Sequence, residues 1–176
     1  MRTRAFGRLL WVGVALWPCL VGAQIPRLGD EFQVNTFTLG SQEAPAAACD
    51  ASGNAVLAWA GRPTGNDHDL VRGIFFQRYD AFGVPLGSET EVSPLPPCSV
   101  PRVVPEICRD STGNAVVVYR RFPDFDLRGV RFNSTGMQLG TEFQVADGSG
   151  AGSSYSLFFY GGHDVACEDD GNFVVA

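Results

Sequence analysis

CDASGNAVLAW occupies residues 49–59 and CRDSTGNAVVVY occupies residues 108–119, and the phrase begins a third time as CEDDGNFVVA at 167–176. Each copy runs from an acidic segment through Gly-Asn into an apolar stretch. The segments DASGN (50–54), DSTGN (110–114) and EDDGN (168–172) align on Gly53, Gly113 and Gly171, which lie 60 and 58 residues apart. An aspartate oxygen accepts hydrogen bonds from the backbone just ahead of it, and glycine adopts positive φ without a Cβ clash. The pattern therefore predicts a tight turn between two strands, with Asp50, Asp110 and Asp169 as turn residues. AVLAW, AVVVY and FVVA are the strands that leave the turns.

A second phrase alternates with the first: GDEFQVN at 29–35, GSETEVS at 87–93 and GTEFQVA at 140–146. QRYDAFGVPLG (77–87) and VRFNSTGMQLG (130–140) lead into the latter two, matching Tyr79 with Phe132, Gly83 with Gly136, Leu86 with Leu139 and Val92 with Val145. Gly83 and Gly136 mark further turns. Strands are expected at 45–49, 55–59, 71–79 and 89–93, and again at 104–108, 115–119, 127–132 and 142–145. Connections this short favour antiparallel pairing.

A four-stranded sheet cannot cover both faces of its own apolar strands, whereas stacked repeats hide them from water. The expected fold is all-β: an incomplete β-propeller-like array of four-stranded antiparallel repeats, with a β-sandwich as the alternative. Residues 29–35 read as the end of a preceding repeat, 45–93 and 104–146 as repeats, 147–164 as a linker or divergent strand, and 165–176 as a truncated repeat. The remaining blades are expected in a longer chain.

These phrases resemble the repeat regions of large secreted bacterial proteins, in which an aspartate turn with Gly-Asn and a V/V/W strand precede QRYD-x-x-G and G-x-EFQVN. The matching residues are Asp50–Trp59, Gln77–Glu91 and Gly29–Asn35, then Asp110–Tyr119, Arg131–Val145 and the partial copy Asp169–Ala176. The resemblance covers most of 29–176 and implies a propeller-like repeat region without specifying an activity. The second unit departs from it by carrying VRFN where the first has QRYD.

Residues 1–23 have the order of a secretory signal peptide: Arg2, Arg4 and Arg8, the apolar run LLWVGVALWPCL at 9–20, then small residues up to Ala23. The run is short for a membrane span. Removing the leader takes three of the thirteen basic residues, all arginines, and leaves ten against nineteen acids, a formal charge of −9. That balance provides no basic patch for nucleic acid. Export to the medium, cell surface or periplasm permits disulfides among Cys49, Cys98, Cys108 and Cys167, and a Cys98–Cys108 link is the preferred pairing because it closes a short loop.

Candidate chemistry is sparse. Asp67, His68 and Asp69 fall in the polar insertion GRPTGNDHDL (61–70), His163 follows two glycines, and Tyr160 ends the FFY run at 158–160. These five are possible loop contacts for a ligand. No catalytic residue, metal site or cofactor is assigned; calcium would need oxygen ligands beyond Asp169 and Asp170, and no EF-hand loop is present. The expected function is a noncatalytic secreted binding or surface-associated scaffold for a glycan or extracellular protein. The alternatives are a fragment of a propeller glycoside hydrolase or lyase and a purely structural repeat segment.

Overall fold

The acid-to-glycine phrase folds into the same turn each time it occurs, and these turns set the registers of the sheets. A computed structural model describes residues 31–61, 73–94, 103–121, 126–147 and 162–176. The leader, the insertion carrying Asp67, His68 and Asp69, Cys98, Tyr160 and most of 147–164 lie outside the described residues.

The described chain is all-β and antiparallel. The first sheet has the order β1 (Gln42–Cys49), β2 (Ala55–Gly61), β3 (Gly73–Tyr79), β4 (Thr90–Pro94). The second repeats that order with β5 (Glu106–Arg109), β6 (Ala115–Arg120), β7 (Leu127–Phe132) and β8 (Gln138–Ala146). A third, two-stranded sheet pairs β9 (Val165–Cys167) with β10 (Phe173–Val175). Strands β1 and β8 are longer than their apolar patterns suggest. β1 starts at Gln42 and passes through a register shift between Glu43 and Ala46, where Pro45, lacking an N–H, fits on a sheet edge.

Register makes the repeat structural. Cys49 pairs with Ala55, Arg109 with Ala115, and Cys167 with Phe173. One step back, Ala48, Cys108 and Ala166 pair with Val56, Val116 and Val174. Equivalent places in the three sheets can therefore be read from the pairing alone.

The sheets stack with one face forward and one face back. Val56, Ala58, Ala60, Ile74 and Phe76 of the first sheet share a core with Ile107, Val117, Tyr119, Val130 and Phe132 of the second. The opposite face of the second sheet, with Cys108, Val116, Val118 and Leu127, packs against Val165, Phe173 and Val175 of the third. Complete burial of an aliphatic or phenyl side chain contributes about 1.5–3 kcal/mol, so a sheet covered on both faces is stabilised by strands apolar throughout. Strand β6, AVVVYR, has that composition, and it is buried from Ala115 to Tyr119. Among the described residues the stack is open, running from the first sheet through the second to the hairpin.

The disulfide corrects the expected pairing. Cys108 is bonded to Cys167, across the second and third sheets, and not to Cys98. Stacking sets this choice: β5 lies over β9, which brings together cysteines far apart in sequence. Cys49 has a free, exposed thiol.

Residues 31–35 lie against the first sheet without forming a strand. Phe32 meets Tyr79 at a ring-centroid distance of 5.3 Å, and the Tyr79 hydroxyl donates to the Val34 carbonyl.

Candidate functional site

The two ends of each sheet are built differently. At one end lie five turns, 50–54, 80–84, 110–114, 133–137 and 168–172, closed by the same pair of backbone bonds. In the first, Gly53 N–H donates to the Asp50 carbonyl at 3.0 Å and Asp50 N–H to the Asn54 carbonyl at 2.9 Å. Gly53, Gly83, Gly113, Gly136 and Gly171 have φ between 79° and 91°, the glycine-requiring position of a type I turn followed by a bulge. At Gly113 the space is closed as well, since a Cβ there would sit 2.9 Å from Arg109 Nη2.

The acids of these turns are engaged locally. Asp50 Oδ1 accepts from the N–H groups of Ser52 and Asn54, and Asp50 Oδ2 accepts from Asn54 Nδ2 at 2.8 Å. The Asn54 amide is the main influence holding the Asp50 carboxyl below its ordinary pKa, with Arg109 adding to it. Asp110 repeats the arrangement with Thr112 and Asn114. In the third turn Asp169 is present, but the carboxylate that caps Asn172 is that of Asp170. Asp80 and Asn133 fill the same role in the β3–β4 and β7–β8 turns; the signal was an acid or amide three residues before Gly83 and Gly136.

Neighbouring sheets are tied at this end. Arg109 Nη2 lies 3.0 Å from Asp50 Oδ2, and Arg109 Nη1 donates to the Asn54 carbonyl at 3.0 Å. Cys167, in the place equivalent to Arg109, reaches back to Cys108. One slot on the first strand thus carries a salt bridge at one junction and a disulfide at the next.

The opposite end, where β2 and β6 finish and β3 and β7 begin, holds the concentrated polar chemistry. Tyr119 is fully buried and its hydroxyl donates to Glu142 Oε2. Glu142 Oε1 lies 2.9 Å from Arg121 Nη1, and Arg128 Nη2 lies 2.6 Å from Asp126 Oδ2. Burial first, and then the Glu142 contact, push the Tyr119 phenol well above its ordinary pKa, which disfavours the phenolate. His163 places Nε2 3.3 Å from the Val118 carbonyl, and burial is the chief cause lowering its pKa. Burial followed by the charge of Asp164 raises that of Glu106. On the outer face of the first sheet, a recess of about 160 Å³ is lined by Val34, Asn35, Gln42, Pro45, Leu57 and Trp59, with Trp59 Nε1 donating to Gln42 Oε1 at 3.1 Å.

Comparison with protein-family models, curated proteins and solved structures finds no match.

Of the five possible loop contacts, His163 falls within the described residues and sits beside the second sheet. Among the described residues, no group of three or more His, Cys, Asp or Glu side chains is placed to hold a metal ion, and no helix is long and apolar enough to cross a membrane. The Tyr119–Glu142–Arg121 cluster is not evident from sequence spacing, because its members come together only across the sheet. Its trace is the glutamate repeated in the second phrase, Glu31, Glu89 and Glu142. Glu89 also has a tying role, accepting from the Thr36 N–H at 2.9 Å and the Thr36 hydroxyl at 2.8 Å.

Proposed function

We propose that this protein is a noncatalytic exported scaffold, a propeller-like array of stacked blades that recognises a glycan or an extracellular protein at the connector end of its sheets. The observation that carries this reading is the unlike construction of the two ends. One end is spent on a repeated turn whose polar atoms bond to one another. At the other end the strands lead into connectors of different sequence, 62–72 and 121–126, and the Arg121–Glu142 pair and the Trp59 recess belong to the described residues of that end. Recognition placed on variable connectors over a fixed frame is a common division of labour.

The candidate acids and bases favour scaffold over catalyst. The Asp50 and Asp110 carboxylates hold their own turns, the Tyr119 phenol is kept neutral against Glu142, and the His163 ring contacts a main-chain carbonyl. The Cys108–Cys167 bond supports an oxidising location, at the cell surface, in the periplasm or outside the cell.

A glycan array run beside a polysaccharide-degradation assay tests the proposal. Retention of a glycan without turnover is the expected result, weakened by Arg121→Ala. Release of oligosaccharide that stops when one carboxylate at the connector end is changed would establish the hydrolase or lyase reading instead.

A further inference from the structure

At the junction of the first two sheets, each sheet sends one arginine into a turn of the other. Arg109, on β5, reaches the 50–54 turn, where Nη2 lies 3.0 Å from Asp50 Oδ2 and Nη1 donates to the Asn54 carbonyl. Arg78, on β3, reaches the 133–137 turn of the second sheet, where Nη1 donates to the Thr135 carbonyl. A Cβ on Gly136 would sit 2.9 Å from Arg78 Cδ, so this turn glycine also makes room for the crossing side chain.

The two crossings differ in charge. Aspartates cap four of the turns, whereas the 133–137 turn is capped by Asn133, a neutral amide. Asn133 Oδ1 accepts from the N–H groups of Thr135 and Met137 and from the Thr135 hydroxyl. Arg78 therefore gains carbonyl partners without a counter-ion. Among the described residues no carboxylate lies within ion-pair distance of its guanidinium. Half-burial, and then the like charge of Arg109, lower its pKa. A partly buried charge is costly unless an opposite charge meets it.

Beside Arg78 the two sheets leave an open cleft of about 170 Å³, lined also by Phe76, Leu86, Ser88, Thr90, Thr135 and Gly136. No acid lines it. Alternation turns Glu89 and Glu91 to the other face of the first sheet, where Glu89 accepts from Thr36 and Glu91 pairs with Phe75. Arg78 Nη1 is committed to the carbonyls of Leu86 and Thr135, which leaves Nε and Nη2. Those two groups lie side by side in the guanidinium plane and can donate two parallel bonds to one carboxylate. Ser88 brings a hydroxyl to the same cleft.

We propose that this cleft is a second binding site, in which Arg78 takes a singly charged carboxylate group as the counter-ion that Asn133 does not supply. The recognised chemistry is the same whether a free organic acid or an acidic sugar carries that group. The cleft lies between two four-stranded repeats at the turn end, apart from the connector-end recognition proposed above and independent of it.

Titration of glucuronate, acetate and neutral glucose into the purified chain tests the proposal, read by calorimetry and by the arginine Nε–H resonances in NMR spectra. Both acids are expected to bind saturably and to shift the Arg78 resonance, identified by its loss in Arg78→Gln; glucose should do neither. Tighter binding of glucuronate than of acetate assigns the site to an acidic sugar, and equal affinities assign it to the carboxylate alone. Asn133→Asp is the sharper variant. Aspartate already caps the 80–84 turn in the same way, so N133D keeps the turn while placing a carboxylate where Arg78 crosses. Glucuronate affinity should fall about tenfold, as for a like charge within a few ångströms of the ligand, with no loss in the unfolding midpoint. No saturable shift at Arg78, an equal shift with glucose, or an affinity unchanged in N133D would each overturn the proposal. Arg121→Ala, which weakens the glycan retention proposed for the connector end, should leave the Arg78 shift intact, so the two readings fail separately.

Discussion

The rings of Phe76 and Phe132 stack across the first two sheets with centroids 4.4 Å apart and planes 8° from parallel. They come from equivalent halves of successive repeats, Phe76 on β3 and Phe132 on β7, yet they project from opposite faces of their own sheets toward one another. The contact is therefore a direct report on blade-to-blade packing.

Phe132 is 1% exposed, and truncating a buried phenylalanine removes both its transfer free energy and its packing partners. Phe132→Ala should lower unfolding stability by about 3–5 kcal/mol, with Phe132→Leu costing less because part of the volume is kept. Urea denaturation followed by tryptophan fluorescence measures both. A loss for F132A no larger than that of an exposed substitution such as Met137→Ala would show that the two sheets do not share this core.

The Cys108–Cys167 bond closes a sequence separation of 59 residues and fastens a hairpin that has only two strands of its own. A disulfide of this kind contributes about 2–5 kcal/mol, chiefly by restricting the unfolded chain. Replacing both cysteines with alanine should lower global stability within that range. It should also raise amide exchange across 165–175 more than across β6, because Val117 and Tyr119 retain the first sheet's support. Peptide mapping that linked Cys108 to Cys98, or uniform exchange across the chain, would contradict the assignment.

How far the sequence could be read depended on the range of the interaction. The turns were legible because Asp50, Gly53 and Asn54 act on one another within a few residues. The strands were legible because apolar runs such as AVVVY follow those turns directly. The Cys108–Cys167 pairing was not, since it depends on β5 lying over β9, an offset between stacked sheets that no spacing of cysteines encodes. The Arg109–Asp50 bridge was hidden for the same reason. Tyr119 read simply as a core aromatic, and its phenol-to-Glu142 contact became visible only when β6 and β8 were placed on either side of β7. The glutamate itself recurs in the sequence at Glu31, Glu89 and Glu142, but its partner is set by the sheet.

Asp110 allows the turn chemistry to be tested by pH. Its burial opposes ionisation, but hydrogen bonds donated by Thr112 and Asn114 outweigh that effect and hold its pKa below the ordinary 3.8. A carboxyl with a depressed folded-state pKa adds stability that is fully present above the unfolded value and is lost as pH falls through the folded one. Asp110→Ala removes the acceptor for the Thr112 and Asn114 N–H groups and should cost about 1–3 kcal/mol near neutrality. The gap between the wild type and D110A should then narrow as the pH is taken from about 6 to below 3.8, because the protonated wild-type side chain loses its charged acceptor. Urea unfolding of the two proteins across that window measures the gap at each pH. A gap that stayed constant, or widened in acid, would mean that the turn draws no stability from the ionised carboxylate.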